Sequence, residues 1–222
     1  MKIFVVIPAY NEEAKIAEVL SSFEKTEYKI VVVDDCSADK TAEIASQFEI
    51  NLLRHHVNLG QGAALRTGTD YAISKGADII VHFDADNQHR VEDVETIIKP
   101  IISGEADVVL GSRFLGLKSN LPFRKRIILF LAKIFSHSLL KLEFSDPQNG
   151  LRAFRCEVRA RINWQSNDFA HCSEILGLII KNRLHYLEVP IRVNYETYSM
   201  SKPVRPKLRM GWRLLLKQIL EI

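Results

Sequence analysis

Little in this chain of 222 residues points to a cross-linked or membrane-spanning architecture. Cysteine is scarce: Cys36, Cys156 and Cys172 stand far apart, odd in number and without a C-x-x-C pair. That argues against a disulfide framework or a thiolate zinc site and fits a reducing cytosol. No apolar run reaches the ~18 residues that a membrane span requires. The opening Met1-Lys2-Ile3-Phe4-Val5-Val6-Ile7-Pro8 looks only superficially like a signal peptide. Its apolar stretch is short and Asn11-Glu12-Glu13 follow at once, so it reads as a first strand. Charge of one sign is also lacking: 30 Lys+Arg against 27 Asp+Glu leave a net +3, too little to imply a nucleic-acid partner. There is no internal repeat, and no lysine-containing Gly-rich phosphate loop follows the first strand, which disfavours a nucleotidyltransferase.

The remaining composition, 47% hydrophobic and 26% charged, is that of one soluble globular domain large enough to bury a substantial core. Through the first half, apolar runs at 2–7, 29–33, 51–54, 79–83 and 108–111 alternate with helix-like spacing at 12–24, 38–48, 63–75 and 91–103. Strand–helix alternation of this kind predicts βαβ units and a mostly parallel sheet flanked by helices. Asn11, Ser37 with Asp39, and the turn Asn58-Leu59-Gly60-Gln61-Gly62 supply polar residues suited to helix starts. The second half is less regular. Residues 121–142 interleave Arg124, Lys125, Arg126, Lys133 and Lys141 with bulky apolar side chains, and a second basic–apolar segment runs from Lys207 to Ile222. Such amphipathic helices either pack on a sheet or lie in a membrane interface, where apolar burial and attraction to anionic lipid act together.

The chemistry concentrates where strands end. Asp84-Ala85-Asp86-Asn87-Gln88-His89 directly follows the run Ile79-Ile80-Val81-His82-Phe83, so both carboxylates sit at the carboxyl end of a strand. In open α/β sheets that is the ligand-binding edge. Asp84, Asp86 and the amide oxygen of Gln88 suit a hard divalent cation, Mg²⁺ or Mn²⁺, of the kind that bridges to substrate phosphates. The first strand ends in Pro8-Ala9-Tyr10-Asn11-Glu12 and the second in Asp34-Asp35-Cys36-Ser37; a carboxylate there can hydrogen-bond a nucleobase or ribose. Gly60-Gln61-Gly62 lacks the spacing of a dinucleotide or Walker loop and reads as a tight turn opening the helix from Ala63.

Taken in order, Pro8-Ala9-Tyr10-Asn11-Glu12, Val33-Asp34-Asp35-Cys36-Ser37, Gly60-Gln61-Gly62-Ala63, Asp84-Ala85-Asp86-Asn87-Gln88-His89, Gly111-Ser112-Arg113-Phe114 and Asp146-Pro147-Gln148-Asn149-Gly150-Leu151-Arg152 resemble the inverting family 2 glycosyltransferases, in particular the dolichol-phosphate mannose synthase-like branch. The resemblance runs from Pro8 to about Lys202. It implies a GT-A fold over residues 1–205, with 206–222 a basic amphipathic, membrane-proximal helix. It also implies a UDP- or GDP-sugar donor held through Pro8, Ala9, Tyr10, Glu12, Asp35 and the Ala85 backbone, and a divalent ion on Asp84, Asp86 and Gln88. Arg113 would face the phosphates, while Arg192 and Lys202 would clamp the donor diphosphate.

The implied activity is metal-dependent, inverting transfer of a hexose to a polyprenyl phosphate, with Asp86 and Arg113 catalytic. A phosphate monoester with a second pKa near 6 is largely dianionic at pH 7 and needs little general-base help. Arg113, with Arg124 or Arg126, would receive it, since guanidinium forks match phosphate oxygens. Transfer to a soluble or glycan hydroxyl would instead require a carboxylate base, for which Asp146 and Glu174 are the candidates. A lipid acceptor implies peripheral binding on the cytoplasmic face of the membrane through the two basic segments. A non-catalytic nucleotide-sugar-binding subunit of a membrane-protein partner is the reading from another class; the intact Asp84, Asp86, Gln88 and Arg113 set argues against it. Three departures from the family pattern leave the transferred sugar open: Cys36 where D-D-G-S is usual, Asp168-Phe169 where a lysine and glycine usually precede Glu174, and the segment around Tyr198-Ser199-Met200-Ser201-Lys202.

Overall fold

Four of the first five strands are buried along almost their whole length because helices cover both faces of one sheet. The computed structural model describes residues 1–115 and 144–192. Its elements run β1 (Ile3–Ala9), α1 (Ile16–Phe23), β2 (Lys29–Asp34), α2 (Thr41–Ala45), β3 (Asn51–Arg54), α3 (Gln61–Ser74), β4 (Ile79–His82), α4 (Val91–Ile102), β5 (Val108–Ser112), β6 (Arg152–Arg155), a 3₁₀ turn (Cys156–Arg161), α5 (His171–Lys181) and β7 (Tyr186–Pro190). The strands form one sheet in the order β3-β2-β1-β4-β6-β5-β7. All neighbours are parallel except β6, which runs antiparallel to both β4 and β5.

Successive residues of each strand serve opposite layers. Val5 and Ile7, Ile30 and Val32, and Ile79 and Val81 pack toward α1 and α4, whose Val19, Leu20, Val94 and Ile97 close that core. Phe4 and Val6, Val31 and Val33, and Ile80 point the other way, onto Ala64 and Leu65 of α3, Ile175 and Ile179 of α5, and Trp164. Burying each Val, Ile, Leu or Phe is worth roughly 1.5–3 kcal/mol, so both layers hold the sheet edge rigid beneath the loops it carries.

The expected mostly parallel α/β sheet is present, and the five early strands lie within two residues of their predicted spans. Two helices are shorter than predicted. α1 begins at Ile16 rather than near Glu12, and α2 covers only Thr41–Ala45, because the polar residues expected to cap them form cross-links between loops instead. Neither N-cap makes a side-chain capping bond. Asn11 N–H donates to Ser37 Oγ at 2.9 Å, Ala38 N–H to Asn11 Oδ1 at 2.9 Å, Glu12 N–H to Thr41 Oγ1 at 2.8 Å and Lys40 N–H to Glu13 at 3.0 Å. β6, α5 and β7 add elements the periodicity did not announce. The basic segment 121–142, the tail 206–222, Arg124, Arg126 and Lys202 lie outside the described residues.

Candidate active site

The strand order places β2, β1 and β4 side by side, so Asp35, the 8–12 turn and Asp84 emerge at one edge. β6 enters antiparallel, and therefore the turn that precedes it, residues 145–150, arrives at that same edge. On the β1–β2 side, Pro8 and Ala9 are buried at the end of β1, Glu12 is half-buried and Tyr10 is exposed at the lip. The buried Asp35 carboxylate accepts from Leu59 N–H at 2.9 Å, Gly60 N–H at 2.7 Å and His55 Nδ1 at 2.7 Å. It thereby ties the start of α3 to the end of β2. Gly60 makes this turn at φ +100°, a conformation that side chains resist. Cys36 sits in the left-handed region as well, at φ +62°, which accounts physically for the glycine usual at this position.

Asp84 stands at the centre of the edge. Its Oδ1 accepts from Gln61 Nε2 at 3.0 Å, and Oδ2 lies 3.3 Å from His89 Nε2. A Cβ on Gly150 would fall 2.3 Å from Oδ2, so only glycine lets the 145–150 turn pass. Burial pushes the Asp84 carboxyl up, but His89, Arg152 and His171 hold it below the usual carboxylate range. Asp86 goes the other way: burial and the charge of Asp84 push it up to about 6. Gln88 donates to Asp86 through its backbone at 3.1 Å and its side-chain amide at 2.5 Å. In this arrangement it orients the carboxylate, and acting as a ligand would require its oxygen to turn toward the ion. Ala85 between them is buried.

These charges suit a divalent ion shared with a substrate. Among the described residues no group of three His, Cys, Asp or Glu side chains gathers as a ligand set, so the chain builds no closed cage. Mg²⁺ and Mn²⁺ commonly bind through one or two carboxylates completed by water and substrate phosphate. The mutual repulsion that lifts Asp86 is what such a cation would relieve.

The other half of the edge is built from buried charge. Asp146, 1% exposed at its side chain, takes the Arg113 guanidinium as a fork, Nε at 2.6 Å and Nη2 at 2.5 Å, and also accepts from Arg113 N–H at 3.1 Å. Asn149 Nδ2 donates to Asp146 at 3.3 Å. Arg152, buried in β6, donates to the carbonyls of Gly150 at 3.3 Å and Asn149 at 3.2 Å and to Cys172 Sγ at 3.2 Å. Burial alone would raise the Cys172 thiol, yet Arg152 and His171 bring it down to about 6. Arg152 closes the last of the motifs quoted from the sequence without a role of its own there, and Cys172 carries no spacing signal.

The expected bases are both occupied. Asp146, a candidate base for a hydroxyl acceptor, holds the Arg113 guanidinium. Glu174 accepts from the backbone N–H groups of Gln165 at 2.7 Å and Ser166 at 2.8 Å, so its carboxylate clamps the loop before α5. Arg192 is exposed at the end of the described chain, its backbone N–H on Asp93 at 3.3 Å.

Comparison with known proteins agrees with this architecture. The family model described as Glycosyl transferase family 2 matches residues 4–162. An uncharacterized protein of Methanocaldococcus jannaschii is 40% identical over 99% of this chain and 92% of its own length. The UDP-N-acetylglucosamine–dolichyl-phosphate N-acetylglucosaminyltransferase of Methanococcus voltae is 33% identical over 96% of this chain and 95% of its own. Among solved structures, glucosyl-3-phosphoglycerate synthase from Mycobacterium tuberculosis, crystallised with Mn²⁺, UDP and glucosyl-3-phosphoglycerate, superposes with a TM-score of 0.70 at 21% identity. That superposition covers 95% of this chain and 75% of the synthase and places the fold among GT-A glycosyltransferases.

Proposed function

The chain belongs to glycosyl transferase family 2, and on that premise we propose that it moves a hexose-type sugar from a nucleoside diphosphate to a polyprenyl phosphate. The observation that carries the acceptor class is the engagement of both candidate bases: Asp146 is bound by Arg113 and Glu174 by two backbone N–H groups. A hydroxyl acceptor needs a carboxylate to take its proton; a phosphate dianion does not.

Donor binding falls to the β1–β2–β4 side. Pro8, Ala9, Tyr10, Glu12 and Asp35 surround the nucleoside, with the Ala85 backbone near the ribose. Asp84 and Asp86, with Gln88, would hold Mg²⁺ or Mn²⁺, and Arg192 and Lys202 would clamp the diphosphate. When bound, the ion neutralises charge developing on the leaving diphosphate. Arg113, pre-oriented by Asp146, would meet the acceptor phosphate and offset the repulsion between two anionic reactants. Attack from that side inverts the anomeric centre. The acceptor is reached at the cytoplasmic membrane surface through the basic segments 124–135 and 206–222; among the described residues no helix is long and apolar enough to cross a bilayer.

The test has two arms. Thermal shift with Mn²⁺ and UDP-N-acetylglucosamine, UDP-glucose or GDP-mannose should show one donor stabilising the protein only with metal, since a ligand that binds the folded state raises its apparent stability. That donor should then label a short-chain polyprenyl phosphate in anionic liposomes. Transfer to a soluble hydroxyl acceptor but not to the lipid phosphate would overturn the proposal.

A further inference from the structure

Arg113 and Asp84 belong to strands separated by β6, and the contacts between them run through one turn. Arg113 is held by Asp146, Asp146 receives Asn149 Nδ2, and Gly150 passes against the Asp84 carboxylate. Asn149 Oδ1 accepts from Leu151 N–H at 2.8 Å, closing the turn on itself. The separation between metal-side carboxylate and guanidinium is therefore the span of residues 145–150.

That turn is pinned from a strand that lacks any motif. Glu188, half-buried in the middle of β7 opposite Leu110, accepts from Ser145 N–H at 2.9 and 3.0 Å, from Ser145 Oγ at 2.8 Å and from Asp146 N–H at 3.4 Å. Ser145 Oγ also meets Ser112 Oγ at 2.6 Å, and Ser112 Oγ accepts from Phe114 N–H at 3.2 Å, so the network returns to the residues flanking Arg113. Two carboxylates thus meet at the start of one turn, Glu188 on its backbone and Asp146 within it. Like charges cost energy when brought together out of water, and an apolar β-branched residue would be the ordinary occupant of a strand position. The arrangement fixes the backbone N–H of Asp146 while leaving its carboxylate to Arg113.

We propose that Glu188 is a positioning residue for the acceptor phosphate: by holding Ser145 and Asp146 it sets where the Arg113 guanidinium stands relative to the Asp84 edge. This rests on the reading of Arg113 as the acceptor-phosphate ligand. The prediction is asymmetric, because the hydrogen bonds of Glu188 among the described residues go to Ser145 and Asp146.

The experiment uses the full chain and Glu188→Gln, which keeps shape and removes the charge that the three donors require. Metal-dependent thermal protection by the donor should match wild type. The KM for short-chain polyprenyl phosphate should rise and kcat/KM should fall about 100-fold, the scale of a displacement near 1 Å. Glu188→Asp should recover part of that loss. Independently of any acceptor, the Arg113 Nε–H resonance should exchange with water at least about tenfold faster in Glu188→Gln than in wild type, as its hydrogen-bonded fork loosens. Wild-type acceptor KM with unchanged Arg113 exchange would sink the proposal. Equal loss of donor protection and acceptor turnover, with a lowered Tm, would also sink it by reducing Glu188 to a folding residue. Should wild-type protein transfer nothing to any polyprenyl phosphate, the functional reading falls, and Arg113 exchange still decides whether Glu188 holds the guanidinium.

Discussion

The β1–β2–β4 side and the β5–β6–β7 side of this sheet reach the same edge by different physics. On the first, apolar parallel strands deliver loops that lock to one another through Asn11, Ser37, Asp39 and Thr41, mostly side chain to backbone. On the second, an antiparallel strand is inserted and charge is buried: Arg113 with Asp146, Arg152 beneath the turn, Glu188 beside it. Asn11 is exposed at the lip, and behind it the buried Asp35 carboxylate meets His55 at 2.7 Å. A buried fork fixes one guanidinium in one place, and breaking such a pair typically costs 3–5 kcal/mol because a charge is left unpaired. The contrast lies in what anchors each side: the donor side ties its loops chiefly to backbone N–H groups, Asp35 included, and the acceptor side ties side chain to side chain in the Arg113–Asp146 fork, with Gly150 against Asp84 as the seam.

The largest effect should come from the donor side of that seam. Asp86→Ala should lower metal-dependent transfer about 1,000-fold or more, since an ion at a leaving group supplies several kcal/mol, while circular dichroism and Tm stay near wild type. Retained turnover would detach Asp86 from the metal. Gly150→Ala strikes both sides at once: its methyl would fall 2.3 Å from Asp84 Oδ2. We expect about 100-fold lower kcat/KM and a destabilisation of about 1–3 kcal/mol from overpacking, with donor protection and acceptor KM both impaired. An effect confined to one of them would mean that the two sides are not joined at Gly150.

A pH series sharpens the comparison by reading the donor side through its metal. Asp86 is raised from 3.8 to about 6 by burial and by Asp84, so the folded protein holds this proton more tightly than the unfolded chain. The metal-free protein therefore loses stability from this group as pH rises from about 4 to 6. Metal affinity rises over that same interval, since the ion must displace the proton. Between pH 7.5 and pH 5 the apparent Mn²⁺ affinity, read by thermal shift, should drop about tenfold. A flat profile would show that Asp86 is already ionised by some other neighbour. The smallest effect tests the backbone on the donor side. Cys36→Gly relieves a side chain at φ +62°, and the gain is offset by glycine's freedom in the unfolded chain. Net stabilisation of about 0.5–1 kcal/mol is expected, with unaltered kcat; a loss would mean that the Cys36 Sγ contact to the His56 carbonyl outweighs the strain.

Where sequence reading succeeded and failed follows the same division. The apolar runs of β1, β2, β4 and β5 and the carboxylates Asp35, Asp84 and Asp86 were legible, because burial on both faces forces continuous hydrophobicity and strand ends are where polar residues must appear. Helix starts were misread, since Asn11 and Asp39 satisfy backbone groups in a neighbouring loop as well as in a cap would. β6 was hidden: Arg152-Ala153-Phe154-Arg155 carries too much charge to look like a central strand, and its buried arginine is met by the Asn149 and Gly150 carbonyls and the Cys172 sulfur. Asp146 and Glu174, candidate bases only for a hydroxyl acceptor, turn out to hold Arg113 and two backbone N–H groups, and a carboxylate looks the same in sequence whether it waits for a proton or already holds a guanidinium.

By itself the sequence determined the layer architecture, the edge where chemistry occurs and the family, since these depend on local periodicity and on short motifs at strand ends. Only the tertiary structure decided which charges are paired, that Gly150 must be bare for Asp84 to exist where it does, and that Glu188, 43 residues from Ser145, holds the turn beside Arg113. Pairing is a property of distance through space, and no spacing along the chain encodes it.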